Sequence, residues 1–338
     1  MMSMKALVLK SYGKNARLDF ETRPMPRVKD NEILVKIHAV GLNPIDNMIP
    51  AGTFKPILQF TLPAVMGSDL AGIVVERGKN VTRFHSGDAV YASIFDTDNG
   101  ALSEYVAVPE SAASLKPRSL DFIEAASLPM VALTSWQAFE HVNLLAGQKV
   151  FIPAGSGGIG TFAIQLARHL GASVATTTSA GNSELVSRLG AEHIIDYKTQ
   201  DFEKVLSGYD VVLGTLRGDS IQKAIQILRP GGNLVSLTGP VDLPFARHRN
   251  MNPIMKALFW LMSRKINEMA SQRQVRYGFH FVHPDGSRLS DIAELVDAGK
   301  LAPVIDRVFS FEETLSALSY LKTGHAKGKV VVALSPES

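Results

Sequence analysis

The segment Val150-Phe-Ile-Pro-Ala-Gly155-Ser-Gly157-Gly158-Ile-Gly160 constrains this chain more than any other. It sets three glycines in the spacing Gly-x-Gly-x-x-Gly between a short apolar stretch of strand character, 150–152, and an apolar stretch of helical character, 162–170. Glycines at such a turn let the chain reverse tightly. They also let backbone N–H groups approach a pyrophosphate and let the helix pack closely on the sheet with its positive end toward the phosphates. The pattern alone also fits an ordinary glycine-rich turn. Its strand-turn-helix setting, with a second strand at 173–177, favours a dinucleotide site made by Gly155, Ser156, Gly157, Gly158, Ile159 and Gly160.

Strands and helices alternate around this segment. Strand character at 193–195, 211–213, 234–237 and 277–282 is interleaved with helical character at 184–189, 221–227 and 289–298. Such alternation implies parallel strands joined by helical crossovers, a doubly wound α/β sheet. The first third instead reads as short strands, at 5–9, 32–40, 71–75, 89–92 and 103–108, with Gly, Pro, Asn and Asp between them. That is a small β-barrel. The tail from 301 returns to strand, helix and strand. The expected organisation is therefore a substrate domain, 1–127 with 300–338, into which a nucleotide domain, 128–299, is inserted. A length of 338 residues suits two domains, and 46% hydrophobic with 20% charged residues suits packed cores.

Cofactor choice is read about 20 residues beyond the glycines, where an NAD enzyme usually places Asp or Glu on the ribose hydroxyls. Here the segment is Thr176-Thr-Thr-Ser-Ala-Gly-Asn182, without an acid. Thr178, Ser179 and Asn182 can accept a 2′-phosphate that a carboxylate would repel, which favours NADPH, and Tyr197 on the next strand can add a contact. The alternative is a turn with an N-cap at Ser183 that serves structure only.

Composition excludes several classes. Thirty-five Lys and Arg against 32 Asp and Glu leave a charge of +3, with no dense basic run, so nucleic acid is not an expected partner. The chain has no cysteine, which removes disulfides, thiolate zinc sites and cysteine nucleophiles together. Residues 1–6 run straight into strand-like sequence rather than a signal peptide. The apolar stretch 254–262 falls short of the roughly 18 to 20 residues needed to cross a bilayer. These features lead to the expectation of a cytoplasmic protein with no membrane partner.

Over nearly its whole length the chain resembles the medium-chain dehydrogenase/reductase superfamily. The resemblance is carried by Gly41-Leu-Asn-Pro-Ile-Asp46, Gly67-Ser-Asp-Leu-Ala-Gly72, Gly87-Asp-Ala-Val90, Leu133-Thr134, the Gly155–Gly160 loop, Leu189-Gly-Ala191, Arg229-Pro-Gly-Gly232 and Gly328-Lys329. It implies a GroES-like barrel plus a Rossmann domain. In the zinc alcohol dehydrogenases of the superfamily a Cys stands at the place of Asn43 and a His-Glu pair at that of Ser68-Asp69. A catalytic zinc needs about three converging protein ligands. Their absence points to the zinc-independent quinone oxidoreductases and alkenal reductases, whose acceptors are electrophilic enough to take a hydride without a Lewis acid. Two alternatives stay open: an enoyl-thioester reductase, and a non-catalytic NADPH-binding redox sensor or partner protein.

The resemblance also proposes residues. Asn43 is a hydrogen-bond donor to substrate oxygen or nicotinamide ribose, or a plain Asn-Pro turn residue. Asp46 is its catalytic neighbour, or a cap on the following turn. Phe54 stands near a family tyrosine and, with Phe95 and Trp260, is assigned to the substrate. Thr134, Gly214, Thr238, Gly239, Phe279, Phe281 and Lys329 are assigned to the cofactor, the alternatives being plain core for Phe279 and Phe281 and a solvated lysine for Lys329. The long connection 242–276 shows helical periodicity at Ile254, Leu258, Leu261 and Met262, which favours packing on its own domain; an apolar lid or a contact in a homodimer is the sharper reading.

Overall fold

Strand Glu32–Leu42 is the spine of the amino-terminal part. Its run of β-branched and apolar residues, Ile-Leu-Val-Lys-Ile-His-Ala-Val, suits a strand covered on both faces, and nine of its eleven residues are buried. The computed structural model describes residues 2–58 and 60–334. They divide into two compact units, Met1–Leu133 with Val282–Ser338, and Thr134–Phe281.

In the first unit a seven-stranded sheet runs in the order Ile305–Ser310, Lys329–Ala333, Glu32–Leu42, Asp69–Arg77, Ala89–Ser93 and Ala113–Leu115, with Tyr105–Pro109 also paired to the spine. A second sheet orders Arg17–Pro24, Ser3–Ser11 and Ala64–Val65. Strand Arg17–Pro24 has no strand signature in the sequence because its charged residues mask the alternation. It is an edge strand held by cross-strand pairing, including Lys10 with Glu21 at 2.6 Å.

In the second unit six parallel strands lie in the order His193–Asp196, Ser173–Thr178, Lys149–Ile152, Tyr209–Gly214, Leu228–Ser236 and Arg276–Phe279. Numbered along the chain this is 3-2-1-4-5-6, the dinucleotide-binding order whose direction reverses between the first and fourth strands. The glycine loop leaves the first strand at that switch point. Phe151, Val212, Ile225, Leu234 and Ile266 belong to the core on one face of the sheet.

Two expectations are corrected. Helix Gly286–Asp297 belongs to the first unit, so the boundaries expected at 128 and 300 fall at 134 and 282. Its first residue is a glycine because a Cβ there would stand 2.2 Å from the Ala113 carbonyl oxygen. The Tyr91 hydroxyl donates to the Leu289 carbonyl at 2.5 Å, and Asp297 accepts the N–H groups of Arg118 and Ser119 at 3.2 and 2.9 Å. At the other boundary Met130 is tied to Asp69. The second correction concerns helix Pro253–Gln272. It packs through Phe259, Ser263, Ile266 and Ala270, whereas Ile254, Leu258, Leu261 and Met262 are exposed.

Since Tyr91 is fully buried, its hydroxyl is worth more than a surface hydrogen bond. Tyr91→Phe is expected to lower unfolding free energy in urea by about 1–2 kcal/mol, with the slope of the transition unchanged.

Candidate functional site

Backbone register gathers the chemistry of the first unit. Leu42 pairs with Val330 on one side of the spine, and Gly41 pairs with Asp69 on the other. Continuing these ladders by one residue brings Asn43, Lys329 and Asp69 to the same end of three adjacent strands, although 286 positions separate Asn43 from Lys329. Gly41 makes this possible, since a Cβ there would lie 2.1 Å from the Ala126 carbonyl oxygen of the overlying helix Phe122–Ala126.

The side chains close into a buried network. The Lys329 ammonium donates to Asn43 Oδ1 at 2.6 Å and lies 3.6 Å from Asp69 Oδ2. Asn43 Nδ2 donates to Asp69 Oδ2 at 2.9 Å, with a longer contact of 3.4 Å to the Gly41 carbonyl. Asp69 Oδ2 also accepts the Met130 N–H at 3.1 Å. Asp46, in the first turn of helix Pro44–Met48, reaches back to accept the Asn43 N–H at 2.8 Å. Asn43, Asp46, Asp69 and Lys329 are each at most 4% exposed.

Burial of this kind disfavours charge. It pushes Asp46 up to about 7, with Asp69 adding to the rise and the hydrogen bond from Asn43 opposing it. Burial also raises Asp69, against the pull of the Lys329 ammonium, and lowers Lys329, against the pull of both carboxylates. One proton on Asp46 with an ionised Asp69–Lys329 pair makes the cluster neutral, the arrangement a low-dielectric interior favours. Asp46 is thus a buried helix cap whose surroundings favour the protonated carboxyl. Lys329, assigned from the resemblance to the cofactor, is a buried cation bonded to Asn43.

This donor set does not suit zinc. It consists of an amide, the Ser68 hydroxyl, the Asp69 carboxylate, the Asp46 carboxyl turned back to the Asn43 N–H, and an ammonium that repels a metal cation. Among the described residues no group of three His, Cys, Asp or Glu could hold a metal ion. Beside the network, Ser68, Ile94, Phe95, Asp96 and Thr97 line a small cavity together with Ile49, Phe60 and Met66. Of the residues assigned to substrate, Phe95 forms part of this wall. Phe54 is not among the lining residues, and Trp260 lies in the other unit, half exposed. Phe60 was missed by sequence reasoning, since a phenylalanine in an irregular stretch carries no local signal.

In the second unit the glycine loop is built for close approach. A Cβ on Gly155 would stand 2.1 Å from Thr176 Oγ1, and one on Gly160 would stand 2.5 Å from the Ala154 carbonyl. The loop is tied to the next strand by the N–H groups of Ala154 and Gly155, which donate to Thr177 Oγ1 and Thr177 O, both at 3.0 Å. Helix Gly158–His169 has Gly157 at its N-cap and no side-chain cap. Its first N–H groups are therefore left for a ligand, and a dinucleotide pyrophosphate fits this cradle.

At the end of the second strand Thr178 Oγ1 donates to Ser156 Oγ at 2.9 Å, and Asn182 Nδ2 lies 3.3 Å from both Ser156 Oγ and Ser179 Oγ. Asn182, not Ser183, occupies the N-cap position of helix Ser183–Leu189, and its side chain does not cap it. The turn is a polar cluster linked to the glycine loop, beyond a purely structural cap. Tyr197 is 61% exposed next to it, its N–H donating to the Thr178 carbonyl at 3.3 Å. Gly214, Thr238 and Gly239 lie at or just beyond the carboxyl ends of the fourth and fifth strands. Phe279 and Phe281 are half-buried and pack edge-on against Phe245, with ring centroids 5.2 and 5.5 Å away. Thr134 is 5% exposed in helix Pro129–His141.

Two outcomes are expected from the buried network. Lys329→Met strands the Asp69 charge and should cost about 3–5 kcal/mol in unfolding free energy, while Lys329→Met with Asp69→Asn should recover most of that loss in urea titrations. The second concerns pH. The folded protein holds the Asp46 proton up to about 7, whereas an unfolded Asp releases it near 3.8, so this group's contribution to stability falls as pH rises through that window. Melting temperatures of Asp46→Asn should lack that decline between pH 5 and 8 on the order of a few degrees relative to the parent.

Two family matches cover parts of the chain, the second of them crossing from one unit into the other. A family described as alcohol dehydrogenase GroES-like domain matches residues 29–118, and one described as zinc-binding dehydrogenase matches residues 189–332. The chain is 35% identical to NAD(P)H oxidoreductase RTN4IP1, mitochondrial, of Danio rerio, over 98% of this chain and 91% of that protein. It is 35% identical to NADPH-dependent alkenal/one oxidoreductase, chloroplastic, of Arabidopsis thaliana, over 97% of this chain and 79% of that protein. The solved quinone oxidoreductase from Coxiella burnetii superposes with a TM-score of 0.84 at 30% identity, over 99% of this chain and all of that one. The expectation of a cytoplasmic location is corrected by these relatives. Those from Danio rerio, Mus musculus, Homo sapiens and Bos taurus are all named mitochondrial, so lack of cysteine and of a spanning stretch does not specify the compartment. Fold, glycine loop and full-length similarity agree: the chain belongs to the medium-chain dehydrogenase/reductase superfamily, among its quinone oxidoreductase-like members.

Proposed function

We propose that this protein is an NADPH-dependent reductase that delivers hydride to quinones or α,β-unsaturated carbonyls without zinc. The observation that carries the reading is the Lys329 ammonium on Asn43 and Asp69, at the place where the zinc enzymes of the superfamily hold their metal. Without a Lewis acid an unactivated alcohol is a poor substrate, because nothing stabilises its alkoxide. A conjugated carbonyl has less need of one, since the incoming charge spreads onto an oxygen that a few hydrogen bonds can support. The relatives named for alkenals and quinones support the same class of acceptor.

Bound to the loop at Gly155–Gly160, reduced nicotinamide would supply the hydride. Backbone N–H groups of Gly158 to Gly160, in the first turn of the helix, would hold the pyrophosphate. Ser156, Thr178, Ser179 and Asn182, with Tyr197 alongside, would receive the 2′-phosphate, and no carboxylate in that turn repels it. Thr134, Gly214, Thr238, Gly239, Phe279 and Phe281 are the proposed neighbours of the rest of the cofactor. In the first unit Lys329 polarises the Asn43 amide through Oδ1. That strengthens the second Nδ2 hydrogen, which has only the long Gly41 contact, as a donor to the acceptor oxygen. Phe60 and Phe95 supply apolar walls that exclude water.

The test is NADPH oxidation with 1,4-benzoquinone, small enones and an enoyl-thioester. Turnover on the first two is expected; turnover on the thioester alone, or on none, overturns the reading. A matching variant checks the cofactor. Ser179→Asp sets a carboxylate beside the 2′-phosphate and should shift preference toward NADH by about tenfold, equivalent to ~1.4 kcal/mol, as read from dissociation constants by fluorescence titration.

A further inference from the structure

We propose that the outward face of helix Pro253–Gln272 docks this protein on an anionic lipid surface. The helix is apolar on two sides. Phe259, Ser263, Ile266 and Ala270 form the stripe that packs on its own unit. On the opposite side of its first turns Ile254, Leu258 and Leu261 are 80%, 45% and 60% exposed, flanked by Met262 and Trp260 at 51% and 50%. Spacings of four and three residues put the first three on one face. Clustered exposed apolar side chains on one helix face mark a candidate binding surface.

Charge identifies the cover. From Leu243 to Arg276 the chain carries seven Lys or Arg residues and one acid, Glu268, although the whole protein is nearly balanced at +3. Arg264 and Lys265 lie beside the apolar face on the same helix, Arg264 5.8 Å from the centre of the Trp260 ring and paired with Glu268 at 2.6 Å, while Lys256 falls on the side of the packed stripe. A second copy meeting this face by two-fold symmetry would bring like charges together, which disfavours it. An anionic bilayer satisfies both parts at once: apolar side chains enter the acyl boundary, and Trp and the basic side chains sit at the headgroups. A convex helix face needs no matching groove in a fluid surface. No helix among the described residues is long and apolar enough to cross a membrane, so the contact lies in the interface plane. The expectation of no membrane partner rested on the lack of a spanning segment, which surface docking does not require. Docking by this face does not depend on the proposed reaction, though apolar quinones and enals concentrate in the same lipid.

The test is co-sedimentation of the whole protein with phosphatidylcholine vesicles, with and without phosphatidylglycerol. Trp136 and Trp260 are the only tryptophans, so Trp136→Phe leaves Trp260 as the reporter. Sedimentation with the anionic vesicles alone, weakened by salt, is expected, together with a shift of Trp260 emission to shorter wavelength. Leu258→Glu with Leu261→Glu should cut vesicle partition by more than about tenfold, with NADPH affinity unchanged and the same mass in solution. Three results overturn the proposal: no sedimentation with either vesicle, equal binding by the double variant, or a parent of larger mass than the variant, which would make the face a contact between copies or with a protein.

Discussion

A single ammonium, that of Lys329, fixes the character of the first unit. Enclosed at 4% exposure, it is tolerable only because Asn43 and Asp69 receive it, and breaking such a buried pair is far more costly than never forming it. Three strands must therefore hold their register, since a one-residue slip would turn Asp69 or Lys329 to the opposite face. The same cation orients the Asn43 amide, biases its polarity and repels any metal from the place. On the proposed reading the reaction class follows from the same interaction: a donor set that does not suit a Lewis acid calls for an acceptor that is itself electrophilic.

The second unit works by a different principle. Its affinity for a dinucleotide rests on backbone, on glycines that let N–H groups and a helix terminus come close. In the proposed function, specificity is assigned to the hydroxyl and amide cluster of Ser156, Thr178, Ser179 and Asn182 at the edge of the sheet. On this proposal the chain separates cofactor binding, carried by local geometry, from acceptor polarisation, carried by a long-range charge network.

That separation explains what the sequence disclosed. The glycine loop and the alternation of strands and helices were legible because each is encoded within some 30 residues. Asn43 and Asp46 were found through a motif, and the cap role offered for Asp46 is the one seen, but the bonds of Asn43 to Asp69 and Lys329 were not legible, since those residues reach it only through strand pairing. Helix Pro253–Gln272 has two apolar stripes at equal spacing, and the one that packs includes serine and alanine, which carry weak signals; periodicity alone selected the exposed stripe. Helix Gly286–Asp297 looked like another crossover, yet its close contact with Ala113 and the Tyr91 hydrogen bond tie it to the other unit.

Central to this account is a protein cation and amide in place of a metal. Measuring zinc content of the purified protein together with turnover of a small enone before and after chelation tests it most directly. The account predicts far less than one zinc per chain and a rate indifferent to chelator. Stoichiometric zinc, with activity lost on chelation and restored by adding the metal, would contradict it.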